Sequence, residues 1–255
     1  MSHHTGRVPT DTITPHGRPR WTTRAAVLLP GPGTTPFTFW YLAVLLATTV
    51  LQRVVGESVS AELLAEASTD AHNLWHRPVS SLISSALWID DSGWLVYVLI
   101  FAVAVAPLER RVGAGWTFAV FASGHALATL ATELPVMVAL REGWLPPTDA
   151  HWLDIGVSYG FFATAGAMVP VLERRLRLPA VVLLELLVGV IYVADEPGSL
   201  LSVVTLAGHA IAVHIGVLGW WAWLRRRGLT GTLRLPRRRR DPVRPDAPLA
   251  GSIAP

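Results

Sequence analysis

Gly156-Val157-Ser158-Tyr159-Gly160-Phe161-Phe162-Ala163-Thr164-Ala165-Gly166-Ala167 sets one serine into a glycine- and alanine-rich segment that is otherwise apolar. At 100° per residue, Gly156, Gly160, Ala163 and Ala167 fall on one side of a helix, with Ser158 and Ala165 on the other. Both sides are narrow. A helix of this kind suits a central position where neighbouring backbones approach closely, which is how membrane helices pack when lipid supplies no hydrophobic drive between them. Ser158 then has two readings: a hydroxyl bonded back to a backbone carbonyl, or a reactive group.

The rest of the chain bears on that choice. Hydrophobic residues make up 51% of the 255 and charged residues only 15%, with a mean hydropathy of +0.43, too apolar for a soluble domain of this length. The composition describes an all-α polytopic membrane protein. There is no cysteine, which excludes disulfides, zinc–thiolate sites and cysteine nucleophiles, and leaves only His and carboxylates for a metal. No metal site and no cofactor is expected.

Residues 1–36 are rich in Pro, Gly, Thr and Arg without apolar period and read as a disordered cytoplasmic tail, in which His3, His4 and His16 are ordinary tail residues. A membrane domain follows over 37–225. Its candidate spans are Phe37 to Leu51, Trp94 to Leu108, Trp116 to Leu140, Ile155 to Leu172, Leu178 to Val193 and about Leu200 to Leu224, several of them shorter than the ~20 residues a bilayer core needs. An acidic outer loop occupies about 54–93, where Ser60 to Ala67 predicts a short amphipathic helix. Residues 226–255 form a second, basic tail.

Six spans put both termini on one side, and the arginines choose the side. Eighteen of the 21 lie in the two tails or in the loops after the second and fourth spans, whereas the opposite loops carry eleven of the 18 acidic residues. The positive-inside rule makes both termini cytoplasmic and points to a multi-pass protein of the cell (plasma) membrane. The cluster Arg225 to Arg227 with Arg237 to Arg240 is read as a topology signal touching anionic lipid, not as a nucleic-acid site.

In this orientation Ser158 lies a few residues below the outer surface. The sixth span carries His209 and His214, about 140° apart and so facing different partners, while His209, Ala212 and Gly216 share a face. A serine is a poor nucleophile until a base takes its proton, so Ser158 with His209 is the minimum set for acyl transfer. If the fourth helix starts near Trp152 and the sixth near Val203, the two groups are level, each about 9 Å deep; a sixth helix starting at Ser199 puts His209 about 6 Å deeper. His125, Glu133, Glu185 and His214 are the other ionisable side chains within spans.

Three pieces resemble, in order, the rhomboid family of intramembrane serine proteases. Gly156-Val157-Ser158-Tyr159-Gly160 through Gly166-Ala167 is similar to its G-x-S-G segment, Gly208-His209 with Ala212 and Gly216 to its A-H-x-x-G-x-x-x-G, and Glu109-Arg110-Arg111-Val112-Gly113 to its E-x-x-x-G turn. Trp75-His76-Arg77 through Ala86 is a weaker match to the segment before that turn. The resemblance implies a six-transmembrane-helix bundle, a catalytic Ser158/His209 dyad, helix packing through Gly160, Ala212 and Gly216, and substrates or clients that are transmembrane proteins. It departs from the family at Tyr159 and Ala212, and at Gly93 and Tyr97, which occupy the places of an H-x-x-x-N whose side chains help hold the oxyanion. Tyr97, His125 and Gly156 are the residues expected to support the oxyanion instead. Without such support the chain would be a catalytically inactive protein that binds or escorts transmembrane helices.

Overall fold

The computed structural model describes residues 29–89 and 93–233. Most of both expected tails, with His3, His4, His16 and Arg237 to Arg240, and three residues of the outer loop lie outside them. Among the described residues the secondary structure is helical apart from one isolated bridge, Leu172 with Leu233. The helices are α1 (Pro36–Val55), α2 (Glu57–Ala67), α3 (Ala71–His76), α4 (Pro78–Ser85), α5 (Trp94–Val103), α6 (Val105–Val112), α7 (Ala114–Arg141), α8 (Val157–Met168), α9 (Arg174–Ala194), α10 (Leu200–His214) and α11 (Trp221–Arg226), the last two joined by a π turn over Ile215–Gly219. Among the described residues four helical segments are long and apolar enough to cross a membrane: α1, α7, α9 and the run from α10 through α11. Two shorter apolar helices, Trp94–Val103 and Val157–Val171, complete the apolar set.

Local chemistry explains the breaks. The second apolar segment divides at Ala104 because Pro107 has no N–H for the carbonyl of residue 103 and its ring crowds that carbonyl. Gly113 then turns the chain into α7 at φ +84°, a conformation that favours glycine. The outer loop is not plain connection. Asp70 caps α3 by accepting the Asn73 N–H at 2.7 Å, Pro78 opens α4, and Leu64, Ala67 and Leu74 bury their side chains, so α2 to α4 form a layer over one end of the bundle.

At the other end, Glu109 holds the start of α1. Its carboxylate, 3% exposed, accepts from Phe37 N at 2.7 Å, Thr38 N at 2.9 Å and Thr38 Oγ1 at 2.6 Å. These are helix N-terminal N–H groups with no partner inside the helix, and the negative charge also suits the positive end of the helix dipole. The same end gathers arginines: Arg177 lies over Trp221 at 4.9 Å, and Arg227 over Trp223 at 4.7 Å and Trp116 at 5.1 Å.

The bundle closes around α8. Every residue of α8 except Ser158 is buried. A β-carbon at Gly124 of α7 would overlap that of Ala163, one at Gly166 the carbonyl oxygen of Val213, and one at Gly216 the carbonyl oxygen of Ala163. Gly160 makes the same kind of room for the ring of Phe121, and Ala212 is fully buried. In contrast, α9 buries only Val188 and presents Leu183, Leu186, Val190 and Val193 outward.

Two outcomes follow from this packing. Removing the buried acceptor by Glu109→Ala is expected to cost about 2–4 kcal/mol, and Glu109→Gln roughly half of that because a carbonyl acceptor stays; thermal unfolding in detergent reads both. Gly216→Ala is expected to destabilise by about 1–3 kcal/mol, since backbone is what it meets. Gly115→Ala, where a β-carbon meets nothing within 4 Å, serves as the neutral control.

Candidate functional site

The head of α8 is fixed by a segment that is not helical. Residues 151–156 run along the outer layer and are tied to it: Ser68 Oγ donates to Trp152 O at 2.8 Å and accepts from Asp154 N at 2.9 Å, and Thr69 N donates to Asp154 O at 3.0 Å. Thr69 Oγ1 donates to Asp154 Oδ2 at 2.9 Å, and Gly156 N donates to Ser85 O at 3.2 Å. Irregular backbone at such depth is tolerated because these partners satisfy it. The fourth helix therefore starts at Val157 and not near Trp152, while α10 starts at Leu200 with Ser199 accepting from Ser202 N at 3.1 Å. Ser158 sits in the first turn of its helix and His209 about 14 Å along its own. Neither start is the one, near Trp152 or near Val203, that would put each group about 9 Å along its helix.

The two helices nevertheless meet near the serine. The His209 ring, 3% exposed, packs on Phe162 with centroids 4.6 Å apart and edge-on to Tyr159 at 5.3 Å. Phe162 is one turn below Ser158 on the same side of α8. Gly208 admits the Tyr159 ring, which a β-carbon there would overlap. Among the described residues no hydrogen bond joins Ser158 to His209, and His209 Nε2 is enclosed without a partner. Ser158 is partly buried at the head of α8, where Gly156 provides no side-chain cap for the first N–H groups.

His125 and Gly156 are brought together at the head of α8. His125, 4% exposed, has Nε2 2.8 Å from Leu82 O and 3.4 Å from Ser85 Oγ, and its ring occupies the space a Gly156 β-carbon would take. Its Nδ1 has no partner. Tyr97 packs edge-on to Phe101 at 6.5 Å, and Gly93 stands at the start of α5. Among the described residues no three His, Asp or Glu side chains are grouped to hold a metal ion.

Several residues of this region carry no motif. Ser68 and Thr69 precede Asp70 in a polar run whose capping character is legible, but their partners are 84 to 86 positions away. Phe162 could have been found from its four-residue spacing to Ser158. Glu133 is fully buried with neither carboxyl oxygen hydrogen-bonded, close to Asp154 and Tyr159. Burial pushes the Asp154 carboxyl up to about 6; the Thr69 hydroxyl opposes this and Asp70 adds to it. Burial also raises Asp70, against the Asn73 N–H and the nearby His151 and His72.

The sign for Asp154 is that of an acid more easily protonated when folded. Unfolded it ionises near pH ~4, folded near 6, so stability falls as pH rises through that window and the loss is complete above it. Asp154→Asn keeps an acceptor for Thr69 and is expected to stabilise the protein at pH 7 by on the order of 2 kcal/mol while flattening the fall between pH 4 and 6. Unfolding midpoints measured across that range check it; an unchanged profile would assign the slope to Asp70.

A family model described as rhomboid-like protein matches residues 33–227. No curated protein and no solved structure matches the chain. The matched region takes in every helix described above and more than half of the sequence, with Ser158 on the buried central helix and His209 on the helix packed against it. The chain belongs to the rhomboid-like protein family.

Proposed function

We propose that this chain is an intramembrane serine protease that cleaves membrane-anchored proteins, with Ser158 as nucleophile and His209 as general base and then general acid. The observation that supports it best is the singular position of Ser158: in a helix whose other residues are all buried, the serine alone is partly accessible, one turn above the ring on which His209 packs. The reading takes six membrane-crossing helices, the two short apolar ones included, with residues 1–36 and 226–255 as cytoplasmic tails flanking the domain over 37–225, in the cell membrane. The arginines at the Glu109 end of the bundle support that orientation.

In the proposed reaction rotation of the Ser158 and His209 side chains lets Oγ pass its proton to the imidazole as it attacks the scissile carbonyl. The oxyanion then forms at the head of α8, where uncapped N–H groups and the positive helix end face it, and where His125 lies against Gly156. This arrangement stands in for the H-x-x-x-N side chains that Gly93 and Tyr97 do not provide. Water re-enters from the accessible side of Ser158 to release the acyl group. Neither metal nor organic cofactor takes part.

A second reading, a binder or escort of transmembrane helices without hydrolysis, is favoured by one specific observation: the absence of a hydrogen bond between Ser158 and His209. A serine-directed fluorophosphonate probe separates the two. Labelling that disappears in Ser158→Ala supports the protease, and folded protein that never labels supports the binder. With a single-span reporter, Ser158→Ala and His209→Ala are each expected to lower cleavage by about 10³-fold or more, and His125→Ala by about 10²-fold with KM little changed. Cleavage that persists in either dyad variant would refute the assignment.

A further inference from the structure

One ionisable pair lies on the outside of the bundle. Glu185 on α9 and His214 on α10 approach with Oε1 and Nδ1 3.5 Å apart, their side chains 35% and 54% exposed. Glu185 is eleven residues from the start of α9 at Arg174, about 17 Å, and His214 is twelve from the end of α11 at Arg226, about 18 Å. Both groups therefore sit near the middle of an apolar layer ~30 Å thick. Polar side chains at that depth normally face the interior of a bundle; these border the most outward helix of the molecule.

They also do not satisfy each other. His214 Nδ1 is 2.8 Å from the carbonyl oxygen of Ala210 on its own helix, and Glu185 Oε1 is enclosed without a hydrogen bond. With Glu185 Oε1 enclosed, the other oxygen of that carboxylate and the second nitrogen of the half-exposed His214 ring are the atoms left for a group from outside. One turn from Glu185 stands Gly189, where a β-carbon would meet nothing within 4 Å. The glycines at 124, 166, 208 and 216 are each required by a neighbour within the chain. Gly189 is not, so none of the described residues uses the close approach it permits.

We propose that the face formed by α9 and α10 around Glu185, Gly189 and His214 is the interface between two copies of this chain. A two-fold axis through it sets Glu185 of one copy against His214 of the other, twice, so a surface bearing one acid and one imidazole is complementary to itself. Gly189 lets the backbones come close, and Leu186 and Val190 cover the contact from lipid. The interface is independent of whether Ser158 acts in hydrolysis.

The chain has no cysteine, so a single introduced one reports only on contact between copies or with another protein. Leu186→Cys in the full chain, oxidised in cell membranes, is expected to give a disulfide dimer about tenfold more abundant than Val103→Cys, an equally outward position on α5. In phosphatidylcholine vesicles, energy transfer between labelled copies is expected to show dimer dissociation constants raised about 3- to 20-fold by Glu185→Leu or His214→Leu, the scale of one or two interhelical hydrogen bonds. The double exchange Glu185→His with His214→Glu preserves self-complementarity and should restore the dimer. Leu186→Cys that crosslinks no better than Val103→Cys overturns the proposal. So do adducts formed only with other membrane proteins, or single variants that dimerise like the parent.

Discussion

The structure depends on how closely α8 can be approached. Side chains on its neighbours would overlap its backbone or its alanines at Gly124 and Gly216, and its own Gly166 receives the carbonyl of Val213. In lipid no hydrophobic gain drives such helices together, so the stabilisation comes from dispersion between surfaces brought to backbone distance. That requirement keeps α8 short and small, and it leaves Ser158, at the open end, as the one residue of the helix not enclosed.

Around this centre the two ends of the bundle solve different problems. At the Glu109 end a buried carboxylate captures the first N–H groups of α1, and arginines over tryptophans border the last helix. At the other end the polar run Ser68-Thr69-Asp70 fastens the segment leading into α8, placing buried acids near Tyr159 and Glu133. A segment held by six hydrogen bonds to the outer layer fixes where α8 begins, and hence where Ser158 stands on it. The geometry of the candidate site is thus decided as much by the loop as by the helices that carry its residues.

The His209 environment shows the same division of labour. Its ring is set by aromatic neighbours three residues apart on α8, Tyr159 and Phe162, the first admitted by Gly208. Tyr159 departs from the glycine of the family pattern, yet it fills space that Gly208 opens on the facing helix. Two positions that look unrelated along the chain form one packing event in three dimensions.

Composition and periodicity by themselves determined that the chain is helical and membrane-embedded, and the ordered segments at Glu109, Ser158 and Gly208-His209 pointed to the family, because apolar period and small-residue spacing are local properties. The start of α8 at Val157, the docking of α3 and α4 in the outer layer and the capping role of Glu109 were decided only by tertiary structure. Each depends on partners distant along the chain or on how a local break is accommodated: Glu109 finds Phe37 and Thr38 some 70 residues back, and Ser68 finds Trp152 and Asp154. Hydrogen bonds between such positions leave no periodic trace, since each needs only one polar side chain at one place.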